Sequence, residues 1–151
     1  RCSFYLRRMR REDLRSVMEI EGKSFSNPWH LSSFEGEIEN DDISFPYVMI
    51  HPETGEIIGY IIFWQIGQEV QISNFAVHPD YRRKGLGSSV LSRMLRIIKE
   101  RGARVVVLEV RESNNSARCL DEKFGFEAAG IRRNYYSRPD EDAVVMVKKI
   151  K

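Results

Sequence analysis

The sequence predicts one domain of the mixed α/β class over residues 1–151, with a mostly antiparallel central sheet flanked by helices. Three observations support this prediction. A chain of 151 residues has the size of one domain and is long enough to bury a sizeable core. Hydrophobic residues make up 42% of it and charged residues 30%, as in ordinary globular proteins. Segments that alternate like strands are interspersed with segments that have the periodicity of helices.

The composition also bounds the class of protein and its partners. No apolar run approaches the about 18 residues that a membrane helix needs, so we expect no membrane partner. Cys2 and Cys119 are far apart and lack metal-ligand spacing, which disfavours a disulfide scaffold or a metal site and favours a reducing, cytoplasmic setting. The start of the sequence lacks the pattern of a signal peptide. A net charge of +2 does not indicate a nucleic-acid partner.

The first half of the chain predicts two helices and a meander of strands. Two acidic residues open a helix in which Leu14, Val17 and Ile20 follow at helical spacing, and residues 22–28 are expected to break it. Turn residues separate three later strands that should pair antiparallel. The predicted strands are residues 4–9, 44–50, 57–66 and 69–77, and the predicted helices are residues 12–21 and 31–38.

The second half predicts alternating helices and strands. Apolar residues from Val90 to Ile98 recur on one face of a helix that begins after Gly87 and ends at Gly102. Residues 105–108 are aliphatic throughout, which is typical of a strand buried on both faces. The strand–helix–strand unit should be a right-handed crossover. A further helix is predicted at residues 115–124, and two closing strands at residues 126–135 and 143–150.

Residues 74–87 are the most informative for function. They place a strand, a basic turn with two glycines and a helix start in direct succession. Glycines let the backbone bring several N–H groups towards one point, and a helix start adds N–H donors without partners in the helix. This combination favours an anion such as a phosphate, and Arg82, Arg83 and Lys84 add positive charge. A Gly-rich connection with solvated basic side chains is the alternative, and the spacing alone leaves both open.

The segment Arg82-Arg83-Lys84-Gly85-Leu86-Gly87 resembles the Q/R-x-x-G-x-G/A motif of the GNAT family of N-acetyltransferases. Asn114 and the pair Gly125-Phe126 stand where the later part of that family's pattern places them. The resemblance implies the GNAT acyl-CoA N-acyltransferase fold, whose sheet splays between the strands at residues 69–77 and 105–110 to receive acetyl-CoA. It implies these cofactor-binding residues: Phe75, Ala76, Val77, Arg82, Arg83, Lys84, Gly85, Leu86, Gly87, Ser88 and Asn114.

Three shorter stretches, residues 25–29, 108–114 and 131–136, are similar to the ribosomal-protein-alanine N-acetyltransferases (the RimI type) within that family. The similarity implies transfer of an acetyl group from acetyl-CoA to a protein N-terminal α-amine, such as the N-terminal alanine of ribosomal protein S18. The alternatives are a lysine or small-amine acetyltransferase of the same fold, and a non-catalytic acyl-CoA-binding or interaction module. We expect no direct nucleic-acid contact, and the sequence indicates no oligomeric state.

The same resemblance implies the catalytic residues. Glu109 is expected to accept a proton from the ammonium group of the acceptor, directly or through water, and its alternative is an ion pair with Arg111 or another cation. Asp121 stands where the family typically has a tyrosine that protonates the coenzyme A thiolate, and it suits that role only when protonated or when acting through water. The alternative for Asp121 is a helix ion pair with Arg118. In that case the candidate substitutes for the acid are Tyr135, Tyr136, Cys119 and solvent.

Aromatic residues are the candidates for binding the acceptor peptide, because a tyrosine packs against side chains and also hydrogen-bonds a peptide backbone. Ordinary packing in the core or at a strand edge is the alternative. For Asn114 the alternative is a helix N-cap, which is compatible with a contact to the cofactor. The predicted peptide-binding residues are Phe25, Pro28, Trp29, Tyr135 and Tyr136.

Two groups of charged or titratable residues are expected to have no special role. The three histidines are isolated in the sequence, which is typical of turn or surface positions and implies no metal. A cluster of arginines near the N-terminus favours a solvated face over contact with RNA or an acidic partner, since no RNA-binding motif accompanies it. The cluster consists of Arg7, Arg8, Arg10, Arg11 and Arg15.

Overall fold

The computed structural model describes residues 3–151, so Cys2 and the interpretation attached to it lie outside the described residues. The chain divides into two compact units. The first unit extends to Trp64 and resumes over Ser73–Gly87, and the second comprises Gln65–Ile72 and Ser88–Lys151. The assignment of residues 1–151 to a single domain stays a prediction.

The first unit combines two helices with strands hydrogen-bonded in the order β1-β2-β3-β4. Its first two strand pairs, β1 with β2 and β2 with β3, are antiparallel. The elements are β1 (Tyr5–Arg8), α1 (Leu14–Ser24), α2 (Leu31–Glu39), β2 (Ser44–Ile50), most of β3 (Ile57–Ile66) and the end of β4 (Glu69–Val77). The predicted bounds of β2, β3 and β4 are confirmed.

The second unit contains the start of β4 and a sheet with the strand order β4-β5-β7-β6. The β4–β5 pair is parallel, and the β5–β7 and β6–β7 pairs are antiparallel. The further elements are most of α3 (Leu86–Glu100), β5 (Val105–Arg111), α4 (Asn115–Lys123), β6 (Glu127–Tyr136) and β7 (Glu141–Lys149). The mixed α/β class predicted from the sequence is confirmed.

Helix α1 is longer than the sequence predicted. Residues 22–28 were expected to break it, whereas α1 continues through Gly22 to Ser24. A glycine in a helix costs about 1 kcal/mol relative to alanine, and burial of a whole helix face outweighs that cost. The buried face of α1 consists of Leu14, Val17, Ile20 and Glu21.

Strand β5 is buried on one face, not on both as predicted. Val106, Leu108 and Val110 are buried, while the intervening residues from Val105 to Arg111 are half-buried. Successive side chains of a strand point to opposite faces, so this alternation means that only one face packs fully in a core. Glu109 lies on the half-buried face.

The parallel ladder between β4 and β5 is short. It comprises the pairs Glu69–Val105, Val70–Val106 and Gln71–Val107. Parallel neighbours need a crossover connection, which α3 supplies, as the sequence predicted. In the described register the ladder ends at Gln71, so the later residues of β4, including the predicted pantetheine contacts, lie beyond it.

Strand β6 is an exposed edge. Among the described strands it pairs with β7 alone, and nearly all of its residues are exposed. Its pairing shifts register between Ala128 and Gly130 and again between Arg132 and Tyr136. Asn134, inside the second shift, has a φ of 52°, the left-handed conformation that asparagine tolerates better than most residues. Such bulges bend a strand and redirect its side chains.

Membrane-spanning helices and metal clusters are absent from the described residues, and one cavity lies apart from the predicted site residues. Across residues 3–151 every helix is too short or too polar to span a bilayer. Within the same residues no three His, Cys, Asp or Glu side chains cluster as metal ligands, and Cys119 is exposed. A cavity of about 440 Å³ in the second unit contains none of the predicted site residues; its lining is Leu95, Arg96, Lys99, Lys148, Lys149, Ile150 and Lys151.

Gly59 in β3 lies where the neighbouring strands leave no room for a Cβ atom. A Cβ atom at this position would lie 2.6 Å from Sδ of Met49 and 2.8 Å from the carbonyl oxygen of Ala76. A backbone oxygen cannot move aside as a side chain can, so we expect Gly59→Ala to lower the free energy of unfolding by about 1–3 kcal/mol. Urea denaturation followed by circular dichroism measures the change.

The matched control is Gly36→Ala, which adds the same methyl group in α2 where no atom lies within 4 Å. It should raise the free energy of unfolding by about 0.5–1 kcal/mol, because alanine is the better helix former. A Gly59→Ala variant as stable as the wild type would contradict the close approach of the strands.

Candidate functional site

The basic turn between β4 and α3 has the backbone conformation of an anion-binding loop. It begins with the short 3₁₀ helix Pro79–Tyr81, which the imidazole of His78 caps. Arg83 and Gly85 follow with φ values of 62° and 76°. Helix α3 starts at Leu86, so the N–H groups of its first turn lack partners within the helix. Left-handed residues before a helix start direct successive N–H groups to one side, which fits the predicted pyrophosphate.

The side chains of this turn have unequal roles in the fold. Arg82 donates from Nε to the carbonyl oxygen of Val77 at 2.9 Å and from Nη2 to Oγ of Ser24 at 2.8 Å. The ammonium of Lys84 lies 5.7 Å from the centre of the Tyr81 ring. Arg82 therefore positions the turn, and direct phosphate contacts by the three basic side chains stay a prediction.

The last residues of β4 carry the predicted contacts to pantetheine. Ala76 is buried, and Phe75 and Val77 on either side of it are half-buried. Gly87 and Ser88, which complete the predicted cofactor set on this side, lie in the first turn of α3. These contacts stay predictions.

Residues 25–30 connect α1 to α2 and include three of the predicted peptide-binding residues. Phe25 and Pro28 are exposed. Trp29 is half-buried, and its ring centre lies 5.1 Å from that of Phe34 in the core of the first unit. Trp29 therefore has the core-packing role that was its alternative, whereas Phe25 and Pro28 are accessible to an acceptor.

A buried carboxylate, Glu21, holds this segment. Its exposed fraction is 1%. Oε2 accepts the backbone N–H of Trp29 at 2.8 Å, and Oε1 accepts the side-chain amide of Asn74 at 2.9 Å and the hydroxyl of Tyr60. Burial, together with the charge of Glu21, raises the pKa of Tyr60 far above its ordinary value, so Tyr60 remains a donor.

Glu109 is fixed by two donors in the second unit. Its Oε1 accepts Nε2 of Gln71 at 2.8 Å, and its Oε2 accepts Nε of Arg132 at 3.2 Å. The side chain is 10% exposed. An ion pair was the alternative to the role of base, and it is present with Arg132 as the cation, not Arg111. Each carboxylate oxygen has two lone pairs, so one donor on each leaves acceptor capacity for an ammonium group or a water.

Tyr135 and Tyr136 lie beside this carboxylate network. Their rings meet at 90° with centres 5.0 Å apart. The guanidinium of Arg111 lies 4.6 Å from the centre of the Tyr136 ring, and that of Arg132 lies 5.9 Å from the centre of the Tyr135 ring. Burial and the neighbouring charge of Glu109 raise the pKa of Tyr135, and burial raises the pKa of Tyr136 to about 12. Both hydroxyls therefore keep their protons at neutral pH.

Asp121 is buried without an ion pair. Its exposed fraction is 5%, and its Oδ2 has no hydrogen-bond partner among the described residues. The predicted alternative, an ion pair with Arg118, is wrong, because Arg118 instead donates to the carbonyl oxygen of Glu112 at 3.3 Å. Burial, and secondarily the charge of Glu122, raises the pKa of Asp121 to about 7. A large fraction of the Asp121 side chains is therefore protonated at neutral pH.

Asn114 caps helix α4. Its Oδ1 accepts the backbone N–H of Ala117 at 3.1 Å, so the N-cap alternative is confirmed and the contact to pantetheine stays a prediction. Glu141 accepts the N–H of Ser113 at 2.6 Å and pairs with Arg111 at 3.1 Å. The hydrogen bonds from Ser113, with a smaller contribution from Arg111, lower the pKa of Glu141. These bonds fix the loop before α4 against β7.

The N-terminal arginine cluster is largely engaged within the first unit. Arg7 forms a two-point ion pair with Asp13 at 2.7 and 2.8 Å. Arg11 bonds two glutamates of α2, and the guanidinium of Arg8 lies 5.2 Å from the centre of the Phe45 ring. These contacts favour the predicted solvated face over a surface for RNA.

Sequence reasoning missed three residues of these networks, namely Glu21, Gln71 and Arg132. Glu21 could have been found, because it is a charged residue on the apolar face of α1. Arg132 lies in one of the stretches that carried the resemblance. Gln71 gave no signal beyond its place in an alternating strand.

Comparisons with known proteins agree with this arrangement. The profile of the Acetyltransferase (GNAT) family matches residues 14–126. The [Ribosomal protein bS18]-alanine N-acetyltransferase of Escherichia coli (strain K12) is 34% identical over 140 residues, covering 91% of this chain and 92% of that protein. The protein of the same name from Haemophilus influenzae is 35% identical over 137 residues, covering 89% and 90%. A Bacillus subtilis (strain 168) relative is 38% identical over 141 residues, covering 93% and 92%.

Solved structures agree as well. The crystal structure of the ribosomal-protein-S18-alanine N-acetyltransferase from Escherichia coli has a TM-score of 0.89 at 30% identity, covering 99% of this chain and 95% of that one. Ard1 from Thermoplasma volcanium has a TM-score of 0.88 at 25% identity, with 98% of both chains covered. Because the profile match and these relatives include the basic turn and the strand of Glu109, the chain belongs to the GNAT family of acetyltransferases.

Proposed function

We propose that this enzyme transfers an acetyl group from acetyl-CoA to the N-terminal α-amine of a protein, with the N-terminal alanine of ribosomal protein bS18 as the acceptor. The observation that carries the proposal is the match, over about nine-tenths of both chains, to proteins named for that activity. Ribosomal proteins are made in the cytoplasm, so we place the enzyme there.

Acetyl-CoA supplies the acyl group as an activated thioester. In the first unit, the backbone N–H groups of residues 83–87 would bind its pyrophosphate, with Arg82 holding the turn in shape. In the second unit, the side-chain amide nitrogen of Asn114 remains the candidate contact for pantetheine, because its Oδ1 is used as the cap.

Glu109 is the proposed base. The acceptor N-terminus arrives as an ammonium ion, and loss of a proton to Glu109, directly or through water, exposes the nitrogen lone pair. The amine then forms a C–N bond to the thioester carbonyl carbon as the C–S bond breaks. The nitrogen loses its second proton to water, which can return a proton to the acid that protonates the thiolate. Gln71 and Arg132 hold the two carboxylate oxygens, so the base has a fixed position.

Asp121 is the proposed proton source for the departing thiolate, with Tyr135 as the second candidate. An ionised aspartate would repel the thiolate, but a pKa of about 7 keeps a large fraction of Asp121 neutral. The raised pKa of Tyr135 makes it a weaker acid than an ordinary tyrosine. Asp121 therefore has the proton affinity better matched to a thiolate near neutral pH.

The acceptor assay is the first test. Incubation with acetyl-CoA and a peptide carrying the bS18 N-terminus should add one acetyl group at the α-amine, as located by tandem mass spectrometry. The matched control is the same peptide with a formylated N-terminus, which removes the α-amine and leaves any lysines. Acetylation of both peptides would favour a lysine acetyltransferase, and coenzyme A binding without transfer to any amine would leave only the non-catalytic module.

Glu109→Gln tests the base. The change keeps the shape of the side chain and removes its ability to accept a proton, so kcat should fall by about 10²-fold or more. Glu112→Gln, an exposed acid just beyond the same strand, is the control and should keep the wild-type rate. Equal rates for Glu109→Gln and the wild type, measured by thiol release, would remove Glu109 from the mechanism.

Asp121→Asn tests the raised pKa of the buried carboxyl group through its effect on the free energy of unfolding. An unfolded aspartate ionises near pH 3.8, whereas the folded Asp121 resists ionisation up to about pH 7. The contribution of Asp121 to the free energy of unfolding therefore falls as pH rises from about 4 to about 7, and the neutral isostere lacks that contribution. At pH 8 the variant should exceed the wild type in free energy of unfolding by about 2–4 kcal/mol, and at pH 4 by less than about 1 kcal/mol.

Denaturant titrations across this pH range measure the difference. Glu53→Gln, which neutralises an exposed acid in a turn of the first unit, serves as the control and should leave the pH dependence unchanged. A constant difference between Asp121→Asn and the wild type at all pH values would contradict the raised pKa.

A further inference from the structure

Glu21 closes a five-residue loop at both of its ends. The N–H of Phe25 donates to the backbone carbonyl oxygen of Glu21 at 3.1 Å, which ends α1. The N–H of Trp29 donates to the side-chain Oε2 of the same residue at 2.8 Å. One residue in the last turn of α1 thus fixes the beginning and the end of residues 25–29.

The Glu21 carboxylate is well suited to hold a fixed geometry. It is 1% exposed, and it is not a partner in any of the ion pairs formed within residues 3–151. A buried carboxylate is costly unless hydrogen bonds replace its hydration, and three donors do so here. Besides Trp29 they are the Asn74 amide in β4 and the Tyr60 hydroxyl in β3. Movement of the loop would leave one donor and a buried charge unsatisfied.

The loop of residues 25–29 has exposed side chains along its length, and its last residue is anchored in the core. Phe25 and Pro28 are exposed, whereas the Trp29 ring packs on Phe34. The exposed residues between the two anchors include the apolar side chains of Phe25 and Pro28. An apolar surface of this size suits packing against the small side chains at the start of an extended peptide.

The same turn of α1 also contacts the basic turn. Oγ of Ser24 donates to the carbonyl oxygen of Ile20 at 2.6 Å and accepts Nη2 of Arg82 at 2.8 Å. Arg82 in turn bonds the carbonyl oxygen of Val77. The two contacts use different groups of α1, because Ser24 bonds Arg82 of the cofactor turn and Glu21 bonds the N–H of Trp29. The charge of Arg82 also acts on the Tyr60 hydroxyl, where it lowers the pKa against the larger effect of burial.

We propose that Glu21 is a positioning residue for acceptor specificity, which holds residues 25–29 as the surface that recognises the N-terminal residues of the acceptor peptide. This inference rests on the proposed function. Glu21 does not itself contact the reacting atoms, so its loss should weaken peptide binding and leave the chemical step and the cofactor turn largely intact.

The test compares Glu21→Gln with Tyr60→Phe. A glutamine at position 21 still accepts from Asn74 and Tyr60 through its oxygen, but it presents an N–H₂ group to the N–H of Trp29. Tyr60→Phe removes a donor to the same carboxylate and leaves the Trp29 bond in place. It therefore controls for the loss of stability that follows when a buried hydrogen bond to Glu21 is removed. The expected result for Glu21→Gln is a rise in peptide KM of about tenfold, with the KM for acetyl-CoA within about twofold of the wild type.

The second readout is hydrogen exchange at the Trp29 amide, measured by NMR. Exchange should accelerate by about tenfold or more in Glu21→Gln and stay near the wild-type rate in Tyr60→Phe. A Glu21→Gln variant that is less stable but has unchanged peptide KM and unchanged Trp29 exchange would overturn the positioning role. Failure of the wild type to acetylate any α-amine would instead overturn the proposed function and the acceptor role with it, whatever the exchange rates.

Discussion

The first unit depends on a buried carboxylate that, among the described residues, is held by hydrogen bonds and not by an ion pair. Glu21 replaces its lost hydration with donors from the connecting segment, β3 and β4, so these three elements must keep their relative positions for the charge to remain solvated. Apolar packing alone tolerates small shifts between elements, whereas three hydrogen bonds to one group do not. The conformation of residues 25–29 follows from that requirement, and Trp29 adds an apolar anchor on the same core.

The second unit uses carboxylates differently. Glu109 lies on the half-buried face of β5 with one neutral and one cationic donor, an arrangement that fixes its position while leaving lone pairs available. Within residues 3–151 Asp121 has neither an ion-pair partner nor a hydrogen-bond partner for Oδ2, and burial keeps it protonated up to near neutral pH. The proposed proton acceptor and proton donor thus lie in environments of opposite character, as the proposed mechanism requires of two carboxyl groups that act at one pH.

The elements that the sequence predicted best are those whose pattern is local. Strand β4 alternates, β2 and β3 are nearly continuous apolar runs, and turn residues separate the three strands, so their predicted ends are confirmed. The end of α1 was missed because Gly22 breaks a helix only when packing does not compensate. The burial of β5 was overstated because an aliphatic run does not reveal how many of its faces are covered. In the site, a glycine at position 85 indicates a left-handed conformation from the sequence alone. The surroundings of Glu21, Glu109 and Asp121 could not be predicted in this way, because they consist of residues distant in the sequence.

The exposed edge formed by β6 has a consequence for the behaviour of the protein in solution. A bare strand edge is a template on which a second chain can pair, and long flat edges lead to self-association. This edge is interrupted by two register shifts and carries Glu127, Arg132 and Arg133. Interrupted pairing and charged side chains are features that oppose the addition of a further strand, so the irregular register of β6 has a role in limiting edge-to-edge pairing as well as in shaping the segment that contains Tyr135.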